Sequence, residues 1–201
     1  MWDQRYAGDG YLFGTDPAAF LLRVAPLLPP AARVLSLADG EGRNSVWLAG
    51  QGHRVTALEA SGVALAKARA LAAARGVTVG FVQGDIAGWD WAGHPCDAVL
   101  GVFIQFADPA LRAQIHAGIA RAVVPGGLVL LHGYAPRQIA NGTGGPRAVE
   151  NLYTLDALRA DFPGWQVLLA EDYDADISEG TGHCGRSALI DFVARRPAAL
   201  P

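Results

Sequence analysis

The sequence predicts an α/β fold: a doubly wound, mostly parallel seven-stranded sheet with an antiparallel strand near its C-terminal end. Three observations carry this. Short, near-continuous apolar runs alternate with helical patterns, as they do when a parallel sheet is covered on both faces. A glycine turn, "ADGEGRN" (38–44), separates the first such strand from its helix. The last third holds two strand patterns with no helix between them, which pair antiparallel. The 201 residues, 51% of them hydrophobic, suffice for one domain with a full core.

The elements follow in order. "GTDPAAFLLRVAPLLPP" predicts a helix bounded by Pro29 and Pro30, and "VLSLADGEGRNSVWLA" (34–49) a strand, turn and helix start. "HRVTALEA" (53–60) is a strand ending on Glu59. "SGVALAKARALAAARG" (61–76) is a helix with Ser61 as N-cap and Gly76 as its C′ stop. "VTVGFVQGD" (77–85) and "DAVLGVFIQF" (97–106) are strands three and four. "DPALRAQIHAGIARAV" (108–123) opens on an N-cap Asp and a Pro at N1, and places Leu111, Ile115 and Ile119 on one face. "PGG" (125–127) breaks that helix before the strand "LVLLHGY" (128–134). "NLYTLDALRADFPG" reads as a helix capped by Thr154. "WQVLLAEDYDAD" and "RSALIDFVARR" read as strands flanking a glycine-rich loop, "ISEGTGHCG". The expected organisation is a single domain, 1–201. It has an N-terminal arm and helix (1–30), a cofactor-binding half (31–134) and a substrate-side part (135–201).

Composition narrows the function. A net charge of −3 gives no broad attraction to nucleic acid, so none is expected as partner. Cys96 and Cys184 are far apart and form no C-x-x-C pair, so neither a disulfide framework nor a zinc knuckle is expected. No signal-peptide pattern and no apolar run of membrane-spanning length is present. The expectation is a cytoplasmic, soluble protein without a bound metal; the oligomeric state is left open.

In a doubly wound sheet the ligand sits at the carboxyl ends of the strands. Those ends bring together Ala38 to Gly42, Glu59, Asp85, Gly101 to Phe103 and Tyr134. Three cofactors use a strand–glycine turn–helix. A nucleoside-triphosphate loop needs G-x-x-x-x-G-K-[ST], which is absent. A dinucleotide site wants G-x-G-x-x-G/A; Gly40, Gly42 and Ser45 match in part, with Glu59 19 residues past Gly40. S-adenosylmethionine also needs an acid at the end of strand two for its ribose and a polar partner near strand three for its adenine. It has no pyrophosphate, and the C-terminal antiparallel pair departs from the usual dinucleotide arrangement. The residues favour S-adenosylmethionine, with a nicotinamide oxidoreductase as the competing reading.

The strings "WDQRYAGDGYLFGTDPAAFL", "GEGRNSVWLAGQGHRVTALEAS", "GYAPRQIANGTGGP" and "EGTGHCGR" resemble class I S-adenosylmethionine-dependent methyltransferases of Rossmann-like fold. Within these they are most similar to the tellurite-resistance and thiopurine methyltransferase-like group. The resemblance implies that Gly40 and Gly42 face the methionine moiety, Glu59 the ribose, and Asp85 and Ile86 the adenine. Gly101, Val102 and Phe103 would line the cleft, and Trp2 and Tyr6 would close over it. Ser36, Ala38, Asn44 and Ala60 lie in the same cofactor motifs. Tyr134, His183 and Arg186 would face a small-molecule acceptor, such as a thiol or a selenium or tellurium oxyanion, with Arg186 holding an anion and His183 binding substrate or taking a proton.

Blander readings stand beside these. Asp85 can cap a short helix, Trp2 and Tyr6 can simply pack the arm, His183 can be a solvated loop residue and Arg186 a surface charge. The group usually reads V-L-D-L-G-x-G-E-G-R-N, and here Ser36 and Ala38 replace its acid and first glycine. Charge-assisted hydrogen bonds are about twice as strong as neutral ones, so the substitutions predict weaker cofactor binding. They also motivate a further alternative, a binding protein without turnover.

Overall fold

The computed structural model describes residues 2–198. Seven strands form one sheet in the order β3-β2-β1-β4-β5-β7-β6. Chain order begins with α1 (Trp2–Tyr6) and α2 (Ala19–Val24), then β1 (Arg33–Leu37), α3 (Arg43–Gly50), β2 (Arg54–Glu59), α4 (Gly62–Arg75) and β3 (Gly80–Gln83). It continues through β4 (Cys96–Val102), α5 (Pro109–Ala122), β5 (Val123–Tyr134), α6 (Gln138–Asn141), α7 (Leu155–Asp161), β6 (Gln166–Glu179) and β7 (His183–Arg195). All pairings from β3 across to β5 are parallel, and β7 is antiparallel to both of its neighbours. Strand order reverses between β1 and β4, so a crevice opens at their carboxyl ends.

The period of two along each strand divides the core between the faces of the sheet. Val34 in β1, Ala98 and Leu100 in β4 and Leu128 and Leu130 in β5 pack with Phe20, Leu21 and Val24 of α2 and Leu48 of α3. Leu35, Leu37, Val99, Val129 and Leu131 face the other way, onto Ile115 and Ile119 of α5 and Leu158 of α7. Three expected caps are realised: the side chains of Ser61, Asp108 and Thr154 accept from the N–H groups of Ala64, Leu111 and Ala157. Gly76 closes α4 in the left-handed region.

The structure corrects several boundaries. Strand three spans only residues 80–83, and β4 ends at Val102, where Phe103 turns into the left-handed region at φ 55°. The "PGG" segment does not end α5, which stops at Ala122; it lies within β5, which starts at Val123 and re-registers on β4 beyond Cys96. The expected loop at 177–185 is mostly hairpin: pairing continues to Glu179 opposite His183, and only residues 180–182 turn. A side chain at Gly180 would come within 2.4 Å of the Leu12 carbonyl, so the glycine content serves a close approach and not a loose loop. Among the described residues no helix is long and apolar enough to cross a membrane, and no cluster of three potential metal ligands occurs.

The turn after β1 supplies two contrasting tests. Gly42 has φ 89°, and a Cβ there would sit 2.8 Å from Ala68 Cβ on α4. Gly42→Ala is expected to destabilise the fold by about 2 kcal/mol or more in urea unfolding, combining overpacking with left-handed strain. Ala38 occupies the left-handed region at φ 45° despite its Cβ. Ala38→Gly, ordinarily a destabilising change, should here be neutral or stabilising within about 1 kcal/mol; a larger loss would mean that packing of the methyl outweighs the strain.

Candidate active site

A cavity of about 510 Å³ opens at the β1/β4 crevice, within the size range of small-ligand sites. Its floor is the turn after β1. The Asp39 N–H bonds to the Leu58 carbonyl at 3.1 Å, which holds the turn against the end of β2. Glu59, the last residue of β2, accepts from Gly40 N–H on one carboxylate oxygen and from Ser61 N–H on the other, each at 2.8 Å. Asp39 is buried, accepting from the Ser36 hydroxyl at 2.6 Å and the Ser45 hydroxyl at 2.5 Å. Burial pushes its pKa up and Glu59 adds to this, while the two hydroxyls pull it back, leaving it at about 6. Asn44 is held by Ala18 N–H on its Oδ1, so its amide NH₂ is the remaining polar group it can offer the cavity.

Beyond β3, Asp85 is exposed on the cavity wall, and one of its oxygens accepts from Ala87 N–H to cap a short 3₁₀ turn at 86–88. The capping reading therefore holds, and Asp85 also lines the cavity, as do Ala60 and Ile86.

Two segments roof the site. In the N-terminal arm, Asp3 bonds to the Ser61 hydroxyl, and Tyr6 is buried with its hydroxyl against Gly40. Any side chain at Gly40 would meet that hydroxyl at 3.0 Å. Lys67 gathers the arm by donating to the Gly8 and Gly10 carbonyls and pairing with Glu41 at 2.8 Å. The second segment is the β6–β7 turn, whose Thr181 and Gly182 N–H groups both donate to the Leu12 carbonyl. Arg43, at the start of α3, joins the two by bonding the Phe13 carbonyl and pairing with Glu179 at 2.8 Å. Burial alone raises the Glu179 pKa, but the neighbouring His183 and the Arg43 guanidinium outweigh it and draw the carboxyl down to about 2.

The far end is aromatic. The His183 ring packs on Phe103 (centroids 4.1 Å apart) and Phe13 (4.3 Å), with Tyr134 edge-on at 5.9 Å. Phe103 is positioned by its left-handed backbone and by its N–H bond to the His132 carbonyl. Gln105 clamps Tyr134 by bonding both its N–H and its carbonyl. Gly144 and Gly145 let the chain lie directly on the Tyr134 ring; a Cβ at either would approach it to 2.8 Å. Two buried polar atoms here lack partners, the Tyr134 hydroxyl and His183 Nδ1, the latter 3.8 Å from Glu179. Burial lowers the His183 pKa, with Glu179 opposing in part, and raises that of Tyr134.

The structure thus gathers Trp2, Tyr6, Ser36, Ala38, Gly40, Asn44, Glu59, Ala60, Asp85, Ile86, Val102, Phe103, Tyr134 and His183 around one cavity. Three expected site residues lie outside its lining. Gly42 is occupied by helix packing against Ala68, and a Cβ at Gly101 would strike Ile104 and Leu131 at 2.8 and 2.9 Å, so both glycines serve the core. Arg186 is an exposed residue of β7, 3.5 Å from Asp174, which realises the surface-charge reading. Sequence reasoning missed Phe13, Arg43, Gln105 and the Gly144–Pro146 stretch as lining residues. The last lies inside the quoted "GYAPRQIANGTGGP", where three glycines close to a proline were the available signal.

Residues 34–127 match a family model described as a methyltransferase domain. No curated protein sequence matches the chain significantly. Among solved structures, one described as the conversion of a disulfide bond into a thioacetal group during echinomycin biosynthesis is similar at 21% identity. The match covers 99% of this chain and 92% of that one, with TM-score 0.79. TehB from Haemophilus influenzae is 17% identical over 89% of this chain and 62% of its own, with TM-score 0.72. An S-adenosylmethionine-dependent methyltransferase structure from Methanosarcina mazei is 15% identical over 91% of this chain and 99% of its own, also with TM-score 0.72. At these identities the structures speak for the fold, and the domain match speaks for the chemistry. Residues 34–127 thus carry a methyltransferase-domain match, within a chain that has the fold of the S-adenosylmethionine-dependent methyltransferase structure from Methanosarcina mazei.

Proposed function

We propose that the chain methylates a small sulfur-bearing acceptor, a thiol in preference to a selenium or tellurium oxyanion. The carrying observation is the acceptor end of the cavity: Tyr134 and His183 each carry an unpartnered buried polar atom, and the His183 ring lies between Phe13 and Phe103. Arg43 there is already neutralised by Glu179, and Arg186 is outside the lining. A hard oxyanion beside His183 would give up its hydration where the nearest cation, Arg43, is already paired; Arg5, the other cation of the lining, lies over the Trp2 ring in the N-terminal arm. A thiol suits it, being soft, weakly hydrated and able to use one donor and one acceptor. The cavity volume favours a small molecule over a macromolecule. The structural relative described by the conversion of a disulfide bond into a thioacetal group supports the same acceptor class, since that conversion takes place at sulfur.

The residues on the floor fit S-adenosylmethionine. Gly40 brings the bare backbone of the turn to the cavity wall, and two buried acids suit a ligand with a ribose diol and a cationic end. In this reading Glu59 accepts from the ribose hydroxyls through its remaining lone pairs, and Asp85 from the adenine amino group through its uncapped oxygen. Trp2 and Tyr6 exclude water from above. The bound cofactor supplies an electrophilic methyl group. The roof keeps the acceptor in line and desolvated, which is the larger part of such catalysis. His183, neutral at physiological pH because burial lowers its pKa, takes the proton that the thiol loses as the thioether forms. Ala38 keeps the left-handed conformation of the glycine it replaces, and Asp39 restores a carboxylate to the turn.

Formation of S-adenosylhomocysteine with a panel of small thiols, tellurite and selenite tests this. Thiols are expected to turn over. His183→Gln should lose about 100-fold or more in kcat while retaining its affinity for S-adenosylhomocysteine. Because His183 sheds its proton below the usual imidazole range, activity should rise with pH below about 6.5 and be level in His183 ionisation above it. Turnover of tellurite or selenite without any thiol, or an unimpaired His183→Gln, would overturn the proposal.

A further inference from the structure

We propose that Asp39 receives the α-ammonium group of the cofactor, so that the carboxylate missing at position 36 has been moved three residues along the turn. This rests on S-adenosylmethionine occupying the cavity as described above. Asp39 lies on the cavity wall, 8% exposed, with its oxygens fixed by Ser36 and Ser45. These hydroxyls and the Ser45 N–H, which also bonds the carboxylate, are neutral, and none of the groups that act most strongly on it carries a positive charge. A buried carboxylate held by two hydroxyls and the Ser45 N–H, with another carboxylate facing it, lacks the cation that usually accompanies one. With three donors on its four lone-pair sites, the carboxylate keeps one for a further donor.

The neighbouring acid is less suited to the role. Glu59 already accepts a backbone N–H on each oxygen and stands at the end of β2, on the ribose side. Asp39 sits beside Gly40, which the resemblance places at the methionine moiety, and among Ser36, Ala38 and Asn44 of the same motif. The Asn44 amide NH₂ is suited to the carboxylate of the same amino-acid moiety. The serine at 36 is then half of a matched exchange. Its hydroxyl donates to Asp39 at 2.6 Å, whereas an acid at 36 would set two carboxylates against each other. The single change Ser36→Asp is therefore expected to harm the site, contrary to the expectation from the motif alone.

The electrostatic neighbours define a pH dependence. Asp39 is faced by Glu59 from β2, by Tyr6 from α1, and by the hydroxyls of Ser36 on β1 and Ser45 on α3. Glu41 in the turn is paired with Lys67, and Arg43 with Glu179. Burial pushes the Asp39 carboxyl up to about 6 from the ordinary 3.8. The ligand-free fold therefore holds a proton between these values that the unfolded chain has released. Stability from this group falls as pH rises through that window, and ionisation burdens the empty protein above it. An ammonium ligand needs the ionised form, so affinity should be level above pH 7 and fall about tenfold per unit well below 6.

Calorimetry with S-adenosylhomocysteine and 5′-methylthioadenosine, which shares the adenosine and thioether but has no ammonium group, tests the assignment between pH 5 and 8. Asp39→Asn is expected to weaken S-adenosylhomocysteine at least tenfold at pH 7.5, remove the fall below pH 6, and leave methylthioadenosine unchanged. Its ligand-free Tm at pH 7.5 should equal or exceed that of the parent, which a merely structural role would not give. Ser36→Ala, which keeps the carboxylate and removes one hydroxyl, should move the pH midpoint upward; the exchange S36D/D39S should recover affinity. Equal binding of S-adenosylhomocysteine by parent and Asp39→Asn, or an equal loss for both ligands, overturns the assignment while leaving the cofactor in place. Failure of the parent to bind either ligand overturns the cofactor reading and this assignment with it.

Discussion

The Glu59 carboxylate holds the site together. It is buried at the end of β2, with one oxygen bonded to the turn after β1 and the other to the N-cap of α4. Hydrogen bonds to a charged group contribute about 1.5–3 kcal/mol each, and leaving such a carboxylate half-satisfied costs more. The turn, β2 and α4 are thereby locked as one unit. Gly42 lets α3 and α4 touch at Ala68, and Ser61 passes the constraint outward by accepting from Ala64 N–H and contacting Asp3 of the arm. The same group that would recognise the ribose thus fixes the geometry of everything that would recognise the rest of the cofactor.

From this unit, a tripeptide builds the roof. Glu41 and Arg43 flank Gly42 and reach in different directions. Glu41 takes Lys67 and the Leu12 N–H at 2.6 Å; Arg43 takes Glu179 and the Phe13 carbonyl. Arm and hairpin tip are then joined to each other at Leu12. Largely buried ion pairs of this kind repay little in net stability, because desolvation offsets the attraction. Their value lies in specifying one arrangement of two segments that carry few apolar anchors of their own.

The fold was legible because its signals are local and repetitive. Apolar strands, capped helices and acids at strand ends recur along the chain, and a parallel sheet leaves few ways to arrange them. Ser61, Asp108, Thr154 and Gly76 played the parts their positions suggested. What was not legible depends on what a residue meets far away in sequence. The hairpin through 177–185 reads as loop because glycines dominate it, yet Gly180 and Gly182 are small because Leu12 and Phe13 press on them. Gly42 and Gly101 look like ligand contacts by motif, but space beside Ala68, Ile104 and Leu131 explains them. Arg186 and Arg43 illustrate the same limit. One cation next to the expected substrate residues is turned to the surface, while another in the glycine turn crosses 136 positions to reach Glu179.

The cavity's charge is graded along its length, and the gradation agrees with the chemistry proposed. Asp39 and Glu59 make the floor acidic and poor in counter-charge, an environment that favours a cationic ligand over a pyrophosphate. This argues physically against a dinucleotide, independently of the incomplete glycine pattern. The opposite end is lined by rings, with its one buried cation already paired. Transfer of a methyl group from a cationic donor to a thiolate diminishes charge, and a dry, weakly polar lining disfavours separated charges more than it does their neutralised products. On the proposal made for Asp39, the departures at Ser36 and Ala38 mark a rearranged acidic floor that keeps its charge. In the proposed reading the acceptor meets the aromatic end, which the left-handed Phe103 and the glycine stretch over Tyr134 build.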